Sequence, residues 1–258
     1  MNLPFKMRAS SLEERTKFYT SFNIDIANQW IGRPIVFAMI LGKHTNIYPK
    51  QYEKDKKTPL IVDNYNSLKD VKEKIVHFLP EGVYYDRNYY KDLSRCHSKN
   101  LRNVWGWENF DGQELAFDLD PENVNCPIHG SLQQRMEKGW GLSFSEKAFE
   151  IIKENTINLF DELSQQYHDI RIVFSGRGFH IHIFDESVKK IKMKKRKEIA
   201  DKYKKYGIDK WVTSGEMRLI RLPYSLNGVS SRIVTPLKKT EIKDFNPSIN
   251  ALPKFVSD

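Results

Sequence analysis

The sequence predicts a mixed α+β fold, and three observations carry that reading. Strand-grade apolar runs are separated by amphipathic stretches, but without strict β-α-β alternation. Two of the runs alternate apolar residues with acidic or histidine residues at period two. At 258 residues the chain can bury a substantial core, as one large domain or two small ones. No internal repeat, low-complexity segment or Pro/Ser-rich linker interrupts it, so it reads as one domain over 1–258 with a small insertion at about 90–140.

Taken in order, Ser11 to Trp30 places Phe18, Phe22, Ile26 and Trp30 on one helical stripe, with Asn23 and Asn28 weakening it. Gly32-Arg33-Pro34 stops that helix, and Ile35–Leu41 (IVFAMIL) reads as a buried strand. The Lys-rich stretch from Gly42 to Pro59 is a loop or an irregular hairpin. Ser67 caps a helix running through Val71, Ile75 and Phe78 to Pro80. Tyr84-Tyr85 and Tyr89-Tyr90 then flank Arg87. Gly112–Asp120 is a strand with Leu115, Phe117 and Leu119 on one face. Ser145 caps a helix carrying Phe149, Ile152, Ile157, Phe160 and Leu163. Ile170–Phe184 is two strands around a Gly-rich turn. A basic helix spans roughly Ser187–Tyr206, Trp211–Gly228 mixes strand and turn, and Arg232–Pro236 forms a short last strand.

Composition narrows the function classes. Hydrophobic residues make up 40% and charged residues 29%, with mean hydropathy −0.60, which is a soluble globular balance rather than a disordered one. No apolar stretch approaches the ~18 residues a membrane span needs, and the N-terminus lacks a secretory apolar core. Two cysteines argue against a disulfide scaffold and for a reducing, cytoplasmic compartment. Lys plus Arg is 42 against 33 Asp plus Glu, a net of +9, and a basic surface favours a polyanion such as nucleic acid, nucleotides or an anionic membrane face.

Three constellations carry candidate chemistry. Asp118 and Asp120 project from the same strand face, about 6.5–7 Å apart at Cα. Fixed neighbouring carboxylates repel unless a divalent cation lies between them, as in Mg²⁺ or Mn²⁺ phosphoryl-transfer sites; the same pattern also fits a solvated strand end. Ser175-Gly176-Arg177-Gly178-Phe179-His180 combines glycines, which let backbone N–H groups approach an anion, with a planar Arg fork. A plain hairpin with surface histidines at His180 and His182 is the other reading. The third is Asp209 with Arg218, Arg221, Ser225, Asn227 and Arg232: two arginines in the apolar run MRLIRLP need an anion or a carboxylate.

These pieces, in this order, resemble the archaeo-eukaryotic primase superfamily, of the DNA primase small (catalytic) subunit and primase-polymerase type. ELAFDLD resembles its Asp-x-Asp strand, SGRGFH its second motif, and DKWVTSGEMRLIRLPYSLNG its third, with echoes in Arg33 of GRPIVFAMI and in the tyrosine-rich stretch. The resemblance touches most of Leu12 to Pro236. It implies a catalytic core with an RRM-like half and a mixed sheet flanked by helices. It implies Asp118, Asp120 and Asp209 as a two-metal triad, and Ser175, Arg177, His180, Arg221, Ser225, Asn227 and Arg33 as nucleotide-binding residues. Asn227 stands where the family usually has His, and SGRG replaces the SGRRG of some members.

The resemblance further suggests a zinc knuckle from Cys96, His97, Cys126 and His129, although Cys96 and His97 are adjacent and poorly spaced for one ion. The implied activity is nucleotidyl transfer on a single-stranded DNA template, with a primer strand, dNTP or NTP, and Mg²⁺ or Mn²⁺. A large primase subunit or fused accessory domains are further implied partners. The basic helix offers a track for template phosphates, and Tyr85, Tyr89, Tyr90, Trp105, Trp107 and Trp211 could stack on bases. Two other readings stay open: an end-joining or repair polymerase without priming, and a non-catalytic nucleic-acid-binding module. Replicative, plasmid-borne and CRISPR-associated settings are equally open.

Overall fold

Ser11 opens the first helix, α1 (Leu12–Ser21): its hydroxyl accepts the Glu14 N–H, and the Glu14 carboxylate accepts the Ser11 N–H. The single helix expected to Trp30 is two, because Asn23 leaves helical geometry and its side chain accepts the Asp25 N–H at 3.0 Å, capping α2 (Ile24–Ile31). The structure, a computed structural model, describes residues 3–52, 60–62, 65–97, 104–139 and 143–257. Residues 53–59 of the Lys-rich stretch, and residues 98–103 and 140 of the expected insertion, lie outside the described residues.

The apolar run after Gly32 contributes β1 (Phe37–Ile40), followed by β2 (Leu60–Val62) and, capped by Ser67 as expected, α3 (Leu68–Phe78). Arg87 sits between β3 (Gly82–Asp86) and β4 (Asn88–Tyr90). Then come β5 (Phe110–Gln113), β6 (Leu115–Leu119) and α4 (Leu132–Glu137). Ser145 caps α5 (Glu146–Leu163), and the following run splits into β7 (Ile170–Phe174) and β8 (Phe179–Ile183).

The basic helix is broken into α6 (Glu186–Lys189) and α7 (Met193–Tyr203). Arg196 holds the break: its guanidinium donates to the carbonyls of Val188 at 3.0 Å and Ile191 at 2.9 Å. Trp211 begins no strand, because the Asp209 carboxylate caps a short helix there, α8 (Lys210–Ser214). The remaining elements are β9 (Leu219–Arg221), β10 (Leu226–Asn227), β11 (Arg232–Ile233), β12 (Thr235–Leu237), α9 (Lys239–Ile242), α10 (Pro247–Asn250) and α11 (Lys254–Ser257). The last expected strand is thus two, pairing in different sheets.

The chain divides into two units. The first comprises Met1–Met7, Gln113–Met217 and Thr235–Asn250. Its sheet runs β12-β7-β8-β6 and is antiparallel throughout; the Ser175–Gly178 turn requires this of the β7–β8 pair, which it joins directly. Phe149, Phe174, Phe179 and Phe245 pack on it with ring centroids 4.8–6.1 Å apart. Each buried ring contributes about 1.5–3 kcal/mol against exposure. The second unit comprises Arg8–Gly112, Arg218–Val234 and Ala251–Asp258, around an antiparallel sheet β2-β1-β3-β9. Both four-stranded sheets therefore differ from the mixed sheet the resemblance implies, while the α+β class holds. No helix among the described residues is long and apolar enough to cross a membrane.

Candidate active site

In the first unit, β6 sends Leu115, Phe117 and Leu119, all fully buried, to the core, so Asp118 must point to the opposite face. The register sets Asp118 across from His180 of β8, and His180 Nε2 lies 3.3 Å from Asp118 Oδ1. The histidines are not on the surface: His180 is 3% exposed and His182 is fully buried. His180 Nδ1 is buried with no hydrogen-bond partner among the described residues.

The Ser175–Gly178 turn closes on itself. The Ser175 N–H donates to the Gly178 carbonyl at 2.9 Å, and the Gly178 N–H donates to Ser175 Oγ at 3.1 Å. Gly176 takes a φ of +97°, which favours glycine. Gly178 is needed for another reason: a Cβ there would fall 2.1 Å from the Leu119 carbonyl and 2.9 Å from Asp120 Oδ1. The turn is pressed against the end of the Asp-x-Asp strand.

Arg177 is buried in this turn and pairs with Glu122, which lies 55 residues earlier in sequence, just past the Asp-x-Asp strand, but is a direct neighbour in space. Its Nε is buried without a hydrogen-bond partner among the described residues. Burial alone would lower the Arg177 pKa, but the Glu122, Asp120 and Asp118 carboxylates outweigh it and hold the guanidinium above its ordinary value.

Asp209 joins the group through backbone pairing: its N–H donates to the Asp118 carbonyl at 2.7 Å, beside a bridge between Leu119 and Ile208. Its Oδ1 accepts the Trp211 N–H at 2.8 Å. Burial raises the Asp209 carboxyl above the ordinary range, and the charges of Asp118 and Glu122 push it the same way against the backbone N–H groups of Trp211 and Val212. Carboxylate oxygens are what hard divalent cations take, and this crowding of like charge is what a cation would relieve. As placed, no three His, Cys, Asp or Glu side chains among the described residues converge on one point.

Thus Asp118, Asp120, Asp209, Ser175, Arg177 and His180 all belong to the first unit, whereas Arg33, Arg221, Ser225 and Asn227 belong to the second. There Arg33 lies over the Tyr89 ring at 4.0 Å and donates to the Arg87 carbonyl at 3.1 Å, fixing the β3–β4 turn. Arg221 stacks on Tyr84 at 5.0 Å, with Nη1 buried and lacking a hydrogen-bond partner among the described residues. Ser225 Oγ donates to the Leu222 carbonyl at 2.7 Å, and Asn227 Oδ1 accepts the Val229 N–H at 3.1 Å. The carboxylate that the arginine-bearing apolar run required is Asp86, 2.6 Å from Arg218 Nη1. Asp86 is fully buried, and that burial keeps its carboxyl above the ordinary range despite Arg218.

The suggested zinc set is not gathered among the described residues. Cys96 belongs to the second unit and packs with Val36 and Val104; burial pushes its thiol up to about 12. His97 is exposed. Cys126 and His129 belong to the first unit, with Sγ 3.8 Å from His129 Nδ1. Burial opposes ionisation of Cys126, but the Ser145 hydroxyl and the backbone N–H groups of His129 and Ile128 prevail and lower its pKa.

Sequence reasoning missed Glu122 and the fully buried pair of Glu114 with His182, 2.7 Å apart. The buried arginine of the turn was the signal for the first, since such a charge requires a carboxylate. Nothing local marked which one.

No protein-family model matches the sequence. In fold it resembles the polymerase domain of Mycobacterium tuberculosis ligase D solved in complex with DNA, with a TM-score of 0.55 and 11% identity over 98% of this chain and 91% of that one. The fold class is therefore that of a polymerase domain. An uncharacterised DNA primase small subunit-like protein of Archaeoglobus fulgidus is 49% identical over 98% of this chain and 93% of its own length. The DNA primase small subunit PriS of Pyrobaculum arsenaticum is 29% identical over 72% of this chain and 68% of its own. The chain belongs to the DNA primase small subunit-like family, within the archaeo-eukaryotic primase superfamily.

Proposed function

We propose that this protein is a template-directed nucleotidyltransferase that makes or extends primers on single-stranded DNA from nucleoside triphosphates. The observation that carries the reading is the meeting of the Asp-x-Asp strand end, the Ser175–Gly178 turn and Asp209 within one unit. Asp118, Asp120 and Asp209 would hold the divalent cations, Mg²⁺ or Mn²⁺, after side-chain rotation. Bound there, such ions acidify an attacking 3′-hydroxyl and neutralise leaving pyrophosphate.

The protein's own groups supply the rest. Glu122 holds the Arg177 guanidinium in the turn, where its fixed positive charge faces the triphosphate. His180 has a buried Nδ1 with open hydrogen-bond capacity, suited to donate to a phosphate oxygen while Nε2 faces Asp118. Ser175 keeps the turn closed, so the approach of its backbone to an anion is set before substrate arrives. A large primase subunit or fused accessory domains are further partners in this reading.

The test is incorporation on unprimed and primed single-stranded templates, with each nucleotide set and each metal. Product from the unprimed template is expected and marks a primase. Extension of primed template alone would make the protein an extending polymerase, and no incorporation with Mn²⁺ would leave only a nucleic-acid-binding module. Asp118→Ala is expected to abolish incorporation while the melting transition is kept; extension at the wild-type rate would remove Asp118 from its role.

A further inference from the structure

Trp211 is 65% exposed, an unusual position for the largest side chain, and it lies two residues from Asp209. Its backbone is held in place: the Trp211 main-chain N–H donates to Asp209 Oδ1 at 2.8 Å, and its carbonyl accepts the Met217 N–H at 3.0 Å. The indole borders a depression of about 300 Å³ between α7 and α8, whose other walls include Lys197, Lys210, Asp201 and Glu216. Met217, whose N–H makes that backbone contact, is itself 45% exposed.

The surrounding charge is strongly positive. Between 192 and 205 there are seven lysines against Glu198 and Asp201, and all seven are exposed. At the depression itself Lys210 pairs with Asp201, and Lys197 pairs with Glu216 at 2.8 Å. Such exposed pairs are weak and exchange readily for phosphate.

We propose that Trp211 is a base-stacking platform for single-stranded nucleic acid, flanked by phosphate contacts from Lys197, Lys210 and the lysines of α7. A flat indole takes any base face, and the basic helix takes the backbone, which is the combination that binds single strands without reading sequence. Because Asp209 fixes the backbone on which the indole stands, a strand stacked there is delivered beside the catalytic carboxylates. This inference rests on the nucleotidyl-transfer reading and names a strand-binding residue for it.

The test uses the full chain and a short labelled oligothymidylate, measuring affinity by fluorescence anisotropy across a salt series, alongside the KM for nucleotide on a primed template. Trp211→Ala is expected to weaken strand binding roughly five- to a hundredfold, whereas Trp211→Phe keeps most of the affinity. The salt slope of Trp211→Ala matches wild type, since no charge is removed, while the double variant Lys197→Gln, Lys210→Gln has a shallower one. Equal strand affinity of Trp211→Ala and wild type overturns the inference. So does a raised nucleotide KM with strand binding intact, which would assign the indole to the incoming base. If wild type binds and incorporates but Trp211→Ala behaves like it, the platform alone falls; if wild type does neither, the nucleotidyl-transfer reading falls with it. Unchanged melting of both Trp211 variants excludes misfolding as the cause.

Discussion

Gly178→Ala puts the association between the Ser175–Gly178 turn, proposed to receive the triphosphate, and the Asp-x-Asp strand to its sharpest test. A Cβ at Gly178 lies 2.1 Å from the Leu119 carbonyl and 3.0 Å from Asp120 Cα, where contacts below about 3.0 Å do not occur. Both atoms are backbone, so no side chain can swing aside, and the turn must retreat from β6 by about 1 Å. Gly178 is not among the glycines at positive φ, so the effect is steric and not conformational. Overpacking of this kind costs about 1–3 kcal/mol. For a chain of this size that lowers the melting temperature by about 2–4 °C per kcal/mol. The functional effect is larger: displacing Arg177 and His180 from the carboxylates by about 1 Å costs on the order of a hundredfold in incorporation. Scanning calorimetry reads the first number and single-nucleotide incorporation under saturating metal reads the second. A variant that melts with wild type and extends at its rate would refute both the close approach and the role assigned to the turn.

Glu81, in the second unit, sets an acid limit. It is fully buried and accepts the Thr45 N–H at 3.1 Å, the Thr45 hydroxyl at 3.0 Å and His44 Nδ1 at 2.5 Å. Burial pushes its carboxyl up, but these donors and the His44 charge prevail, so it titrates below the ordinary carboxylate value. Its contribution is then complete above the unfolded pKa of about 4.3 and disappears as pH falls through the lower folded value. Glu81→Gln should therefore flatten the acid limb of a stability–pH curve measured by urea unfolding; an unaltered limb would contradict the assignment. Glu122→Ala strands the buried Arg177 guanidinium and should cost about 3–5 kcal/mol in the same assay, part of it recovered by adding Arg177→Met. A loss under about 1 kcal/mol would mean that Asp118 and Asp120 suffice to hold Arg177.

Much of the candidate site was legible because its parts are local. Period-two alternation in ELAFDLD places Leu115, Phe117 and Leu119 against Asp118, and the glycines of SGRG mark the β7–β8 turn. Helix starts at Ser67 and Ser145 were equally readable, since capping depends on residues three positions apart. Breaks were harder. Asn23 reads as a weak helix residue until its side chain is seen to cap α2, and the gap before α7 depends on Arg196 reaching back to Val188 and Ile191. Trp211 lies in a β-prone run, yet Asp209 starts a helix there.

Residue order was enough to determine the class of fold, the strand that bears Asp118, the turn that bears Arg177 and the kinship with primases. Those properties live in short-range periodicity and in motif succession, which survive without coordinates. Packing alone decided that Glu122 rather than another acid neutralises Arg177, that His180 and His182 are interior, that Cys96 is a core thiol, and that Asp209 abuts Asp118. Each of those depends on segments 55 to 91 residues apart being pressed together, and hydrophobic burial, which drives that approach, carries no label in the sequence saying which polar groups will meet.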